Sequence, residues 1–215
     1  MMETRADNFL RIDPLQLEHA VIERAVACLR AGGVVVFPTD TVYGIGVAAG
    51  EGLVPDELFE IKRRERSQTI PWLVRDARDI ERYGRDVPDY CIRLAERLWP
   101  GALTLVVRCG DAVPDVFQGG DGTIALRAPG HEVPQALMRA LDMPLATTSA
   151  NLHGRPAVAS AAELDPELTA LVPIVLDGGV TPGGIPSTIV SCTEPEPRIL
   201  RLGAISEEAI MECVS

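Results

Sequence analysis

The run Val34-Val35-Val36-Phe37 is the feature that most constrains what this chain can fold into. It offers no polar side to water, which fits a short strand buried on both faces, and Pro38 closes it. Upstream, Leu17, Val21, Ala25, Cys28 and Leu29 recur at helical spacing until Gly32-Gly33 stops them. Asp13 before Pro14 predicts the start of that helix, a capping side chain ahead of proline at the first helical position. Helix, buried strand and the polar turn Thr39-Asp40-Thr41 follow in the order found in α/β proteins, which place ligands outside their strand ends.

The same alternation continues. Pro55 to Ile61 predicts a helix with acidic residues in its first turn, delivering Lys62 and Arg64 to its far end, where cations suit the helix dipole. Ile70 to Val74 resembles a strand that Pro71 weakens. Helices are predicted around 76–82 and 88–98, and strands at Leu103–Val107 and Thr123–Arg127. A helix near 131–141 leads into the apolar run Pro144 to Thr148, which ends at Ser149. Another helix near 160–171 precedes Ile174-Val175-Leu176 and the turn Asp177-Gly178-Gly179. Closing strands at Ser187–Ser191 and Arg198–Leu202 and a short acidic helix finish the chain. Without an internal repeat or a low-complexity linker, these elements predict one α/β domain over 12–205, with 206–215 as an acidic C-terminal helix or tail.

Composition narrows the function classes. With 47% hydrophobic and 24% charged residues, the chain reads as an ordinary soluble globular protein. Its 20 basic and 31 acidic residues leave a net charge of −11, which disfavours nonspecific binding to nucleic acid or to an anionic membrane. Cys28, Cys91, Cys109, Cys192 and Cys213 are odd in number, dispersed and never arranged as C-x-x-C, so reduced thiols in a cytoplasm are expected. The first residues hold no apolar signal core, and no apolar stretch is long enough to span a bilayer.

Two clusters carry chemistry. Lys62, Arg63, Arg64 and Arg66 gather cations against the acidic background and form a local anion site, a solvated helix end being the plain alternative. Ser149 and Asn151, two apart as the chain leaves a strand, are expected on one face, where they can hydrogen-bond a small polar substrate. Gly44-x-Gly46 is half of a dinucleotide fingerprint, but neither G-x-G-x-x-G nor a P-loop is present, so an ATP site must be of another type. His19, His131 and His153 lack metal-ligand spacing and suit surface or capping roles. No Ser-His-Asp triad can be read from spacing.

Val35-Val36-Phe37-Pro38-Thr39-Asp40-Thr41-Val42-Tyr43-Gly44-Ile45-Gly46 resembles the signature of the YrdC-like threonylcarbamoyl-adenylate synthase family. Lys62-Arg63-Arg64 resembles its K-x-R motif, and Trp99-Pro100-Gly101-Ala102-Leu103-Thr104-Leu105 its W-P-G-x-L-T-L block. Ile124 to Pro129, Ser149 to Pro156, Ser187 to Val190 and Ile199 to Ile205 continue the series in order. The likeness covers roughly 33–205. It implies an open twisted mixed sheet flanked by helices, in the short single-domain form, because the chain ends soon after Arg201.

The resemblance also implies that L-threonine, bicarbonate or CO2, and ATP become L-threonylcarbamoyladenylate and pyrophosphate, a nucleotidyltransferase reaction. The product would serve threonylcarbamoyladenosine formation in tRNA, through a separate tRNA threonylcarbamoyl transferase. Weak or no direct tRNA binding and no membrane association are expected. Carried over position by position, Lys62, Arg64, Ser149 and Asn151 are catalytic. Arg64, Gln68, Thr123, Asn151, Ala159 and Arg201 hold ATP. Thr41, Leu73, Arg127, Ser149 and Ser187 hold threonine, with Arg127 on its carboxylate. Mg²⁺ is expected with ATP, without an identified ligand set. Gln68, Leu73, Ala159 and Glu65 depart from the family pattern, which often has asparagine or lysine, histidine, a small hydroxyl residue and proline there. The alternatives are an RNA-binding or ribosome-maturation module and a carbamoyl-transfer relative on the same fold.

Overall fold

The computed structural model describes residues 7–63, 69–152 and 154–214. The first half runs β1 (Phe9–Arg11), α1 (His19–Arg30), β2 (Val35–Phe37), β3 (Gly44–Ala48), α2 (Asp56–Lys62), β4 (Trp72–Leu73), α3 (Arg78–Tyr83), β5 (Gly84–Arg85), α4 (Asp89–Leu98) and β6 (Leu103–Cys109). The second half runs β7 (Thr123–Arg127), α5 (Glu132–Leu141), β8 (Leu145–Ser149), α6 (Pro166–Leu171), β9 (Ile174–Asp177), β10 (Thr188–Ser191), β11 (Arg198–Arg201) and α7 (Glu207–Val214). The strands join in one mixed sheet in the order β1-β9-β2-β3-β8-β4-β7-β6-β10-β11, with β5 added beside β6.

Alternation along the strands divides the interior. In β2 and the residue before it, Val34 and Val36 pack with Ile45, Trp72, Leu103 and Leu105 in one core. Val35 and Phe37 pack on the other face with Leu29 of α1 and Leu137 of α5. The buried run is thus a strand between two cores, as its composition predicts. The first core also takes α4 and α7, where Ile210 and Cys213 are buried. Arg93 and Arg97 of α4 donate to the carbonyls of Val214 and Glu212, satisfying the C-terminal end of α7.

The same parity builds a floor for a cavity. Leu103, Leu105, Ile124, Leu126 and Ala146 point into the first core. Their neighbours Thr104, Ala125, Arg127 and Thr147 point the other way. On that second face α1 and α5 pack over β2 and the ends of β4 and β8, at Leu73 and Leu145. Toward β7, β6 and β10 the same face lines a cavity instead.

Three expectations are corrected. The helix predicted to start at Asp13 starts at His19. Asp13 instead closes a turn, its carboxylate accepting from Leu15 N at 2.9 Å and its carbonyl from Gln16 N at 3.1 Å. The helix expected near 160–171 is a short 3₁₀ turn, Ala161–Glu163, followed by α6. Asp165 and Pro166 split them by supplying a new cap and a first helical residue, the carboxylate accepting from Glu167 N at 2.9 Å. The strands β1 and β3 have no counterpart in the expected elements.

In β3, Gly44 and Gly46 face Ser149 and Thr147 of β8. A Cβ on Gly46 would lie 2.7 Å from the Thr147 hydroxyl oxygen and 2.8 Å from the Ala146 carbonyl oxygen. The G-x-G pair therefore serves close strand approach. Gly46→Ala is expected to cost about 1–3 kcal/mol, seen as a lower urea midpoint with an unchanged slope. An unchanged midpoint would show that the two strands separate freely. All five cysteines are free; burial holds the Cys109 thiol up at about 11, which suits an inert packing group. No helix among the described residues is long and apolar enough to cross a membrane.

Candidate active site

The cavity, of about 400 Å³, lies over β6, β7 and the end of β8, within the range of small-molecule sites. Thr41, Leu73, Arg127, Ser149 and Ser187, the positions that the resemblance assigns to threonine, all line it. They arrive from five places: the turn after β2, β4, the ends of β7 and β8, and the residue before β10. Arg201, at the end of β11, lines it as well. The cavity sits over the sheet face, with the Thr39–Thr41 turn as a wall, rather than wholly beyond the strand ends.

Arg127 is held in it by three side-chain hydrogen bonds. Its guanidinium donates from Nε to the Gly101 carbonyl at 3.0 Å, from Nη1 to Thr41 Oγ1 at 2.9 Å and from Nη2 to Asp40 Oδ1 at 2.6 Å. The Arg127–Asp40 pair is nearly out of water, its side chains 9% and 13% exposed. Three of five N–H groups are thereby used, and one remains on each terminal nitrogen for a ligand. The W-P-G block contributes through the Gly101 carbonyl, and Trp99 anchors it by donating to the Leu103 carbonyl at 2.7 Å.

A second chain of contacts closes the opposite wall. Ser187 and Thr104 share a hydroxyl–hydroxyl bond of 2.8 Å, and Arg201 donates to the Ser187 carbonyl at 2.8 Å. The guanidinium of Arg201 is held below its usual pKa by partial burial and by the neighbouring charge of Arg127. Arg201 and the Asp40-paired Arg127 both present guanidinium donors to the cavity, which suits an anionic ligand. Thr41 is fixed in turn, its hydroxyl 3.0 Å from that of Thr39 and its carbonyl accepting from Thr181 Oγ1 and Gly184 N.

The K-x-R and S-x-N motifs meet, but not as the spacing predicts. Lys62 is buried, and its Nζ donates to the Ser149 carbonyl at 2.7 Å and to the Asn151 carbonyl. Its ammonium thus braces the turn after β8. Arg63, in a left-handed conformation past α2, pairs outward with Glu167. Two of the four clustered cations are therefore engaged by protein groups, while Arg64, Arg66 and Gln68 lie outside the described residues. Asn151 does not share a strand face with Ser149: β8 ends at Ser149, and Asn151 N turns back to the Ser149 carbonyl at 3.0 Å. Its amide donates to the carbonyls of Leu152 and Arg155, and its side-chain oxygen is buried without a partner among the described residues.

Thr123 and Ala159 lie off the cavity lining. The Thr123 hydroxyl donates to Asp121 at 2.6 Å, and Ala159 is placed by backbone bonds to Glu163 and Thr181. His131 caps α5, its Nδ1 accepting from Val133 N at 3.2 Å. Burial holds its pKa below the usual value, opposed by Asp40 and Glu132. His19 sits on the surface beside Glu23, and His153 is outside the described residues. Among the described residues no three His, Cys, Asp or Glu side chains are placed to hold a metal, and Asp40 is engaged by Arg127. These residues therefore offer Mg²⁺ no cage of their own.

Sequence reasoning missed Asp40 and Thr104. The available signals were an acid inside a turn flanked by hydroxyl residues, and a lone polar residue within Leu103-Thr104-Leu105, where alternation turns it away from the core.

A mixed α/β sheet with an arginine-lined cavity over one face defines a class of ligand-binding domain, and comparison with known proteins gives its family. The Sua5/YciO/YrdC model, described as telomere recombination, matches residues 27–203. The chain belongs to that family. It is 36% identical to the threonylcarbamoyl-AMP synthase of Bacillus subtilis over 92% of its length, and 33% identical to that of Stenotrophomonas maltophilia over 75%. It covers 58% of the first and 88% of the second. The structure of Pyrococcus abyssi Sua5 complexed with L-threonine superposes with a TM-score of 0.90 at 32% identity, over 96% of this chain and 60% of that one. The chain thus spans about three fifths of the longer relatives.

Proposed function

We propose that this cavity makes L-threonylcarbamoyladenylate from L-threonine, CO2 or bicarbonate, and ATP. The observation that carries the reading is the meeting of Thr41, Leu73, Arg127, Ser149 and Ser187, from five separate segments, around one cavity. The names of the relatives and the L-threonine complex of the Pyrococcus abyssi protein support it.

The chemistry asks for positioning and charge neutralisation more than for a side-chain nucleophile. The threonine amine attacks the carbon of CO2, forming an N–C bond and releasing one proton. A carbamate oxygen then attacks the α-phosphorus of ATP, and the bond to the bridging oxygen breaks as pyrophosphate leaves. The two remaining N–H groups of Arg127 receive the amino-acid carboxylate. Arg201 supplies charge for the nucleotide from the cavity wall; Asn151 and, outside the described residues, Arg64 and Gln68 are the further nucleotide contacts that the family resemblance implies. Lys62 keeps Ser149 and Asn151 in place. Mg²⁺ bound to ATP would supply charge neutralisation to its phosphates, held by the nucleotide rather than by a protein cage. As a nucleotidyltransferase of this type the protein passes its adenylate to a separate tRNA threonylcarbamoyl transferase and binds tRNA weakly, in keeping with the −11 charge.

Pyrophosphate release with different amino acids tests the pocket. L-Threonine is expected to be preferred. L-Serine, lacking one methyl, should fall by roughly 10–200-fold in kcat/KM, and 2-aminobutyrate, lacking the hydroxyl, should fall further because polar groups of the site would be left unpaired. Equal rates for all three would remove threonine as the substrate.

A further inference from the structure

Asp40 stands behind the cavity rather than on its lining, yet it is the carboxylate partner of Arg127. Its Oδ1 accepts from Nη2 at 2.6 Å with both side chains nearly buried. The turn that carries it is held from outside, since Gly184 N and Thr181 Oγ1 both donate to the Thr41 carbonyl. A Cβ on Gly183 would lie 2.5 Å from the Asp40 carbonyl oxygen, so glycine there lets the two segments pack closely. Three hydrogen bonds, to Gly101, Thr41 and Asp40, therefore fix one guanidinium, two of them to a turn that is itself packed in place.

Charge gives the arrangement its consequence. A buried arginine with no counter-ion would attract small anions strongly but without selection. Paired with Asp40, Arg127 presents two oriented donors and a charge that the carboxylate offsets. Arg201, for which the described residues supply no carboxylate partner, then holds the uncompensated charge of the cavity. We propose that Asp40 is a positioning residue that cancels the charge of Arg127 while fixing its plane, so that this end of the cavity reads the shape of a carboxylate and Arg201 draws the more highly charged ligand to the other end. This rests on the proposed function for the identity of the two ligands, but not for the Arg127–Asp40 device itself.

The test compares parent, Asp40→Asn and the double variant Asp40→Asn/Arg127→Gln by calorimetric binding of L-threonine and, separately, of acetate. Asparagine keeps an oxygen acceptor for Nη2, removes the charge and replaces the second carboxylate oxygen by an NH2 group. The expected result is carboxylate binding at least roughly tenfold tighter in Asp40→Asn than in the parent, for acetate as well as L-threonine, with lower kcat. In the double variant that gain should vanish. If Asp40→Asn does not fold but the double variant does, an uncancelled Arg127 charge is the reason, and the inference stands. Unchanged or weaker carboxylate binding by folded Asp40→Asn overturns it, as does failure of both variants to fold. A parent that binds acetate but not L-threonine would sink the threonine reading while leaving the Asp40 test intact.

Discussion

Lys62→Met is expected to lower the rate of threonine-dependent pyrophosphate release by about a hundredfold and to cost about 2–4 kcal/mol of stability. Methionine retains the apolar stem and removes the ammonium, so the change isolates one charge. That charge donates to the Ser149 and Asn151 carbonyls from a residue only 5% exposed. Without it both carbonyls lose the ammonium, the Ser149 carbonyl keeping Asn151 N, and the turn that presents Ser149 to the cavity loosens. Turnover and urea unfolding on the same preparation check both effects. A variant with normal stability and a raised KM for ATP alone would show that Lys62 acts as a phosphate clamp instead of a brace.

Arg127→Leu should be costlier still for folding, about 3–5 kcal/mol, because it strands Asp40 as an unpaired charge in a nearly dry site. Arg127→Lys separates charge from shape. An ammonium keeps the cation but cannot reach the Gly101 carbonyl, Thr41 and Asp40 in the three directions that a planar fork serves. Its stability should lie between those of the parent and the leucine variant, while KM for L-threonine rises about a hundredfold. Thermal unfolding and initial rates at varied L-threonine measure the pair. A lysine variant with the parent's KM would show that bidentate geometry is irrelevant here.

What could be read in the sequence depended on how local its cause was. Strands β6 and β7 were legible from their short apolar runs, and the period of two puts Thr104 and Arg127 on the cavity face. Strand β3 was not, because Gly44 and Gly46 are poor strand formers whose reason lies across the ladder at Thr147. Asp13 misled because a carboxylate before proline signals a cap and a turn alike, and only the hydrogen bond to Leu15 N separates them. Lys62 sits in a basic run that looks solvated, and its burial against the turn after β8 is a tertiary fact. For Asn151, periodicity fails one residue past the strand end, where the chain turns. The ordered motifs carried the five residues around the cavity, but the Asp40–Arg127 pair needed coordinates.

Pyrophosphate release from ATP, measured with L-threonine and bicarbonate supplied together, singly and not at all, tests the central claim most directly. Release is expected only when both are present, in equal amounts with the threonine consumed. Release at the same rate without L-threonine or without bicarbonate would contradict it.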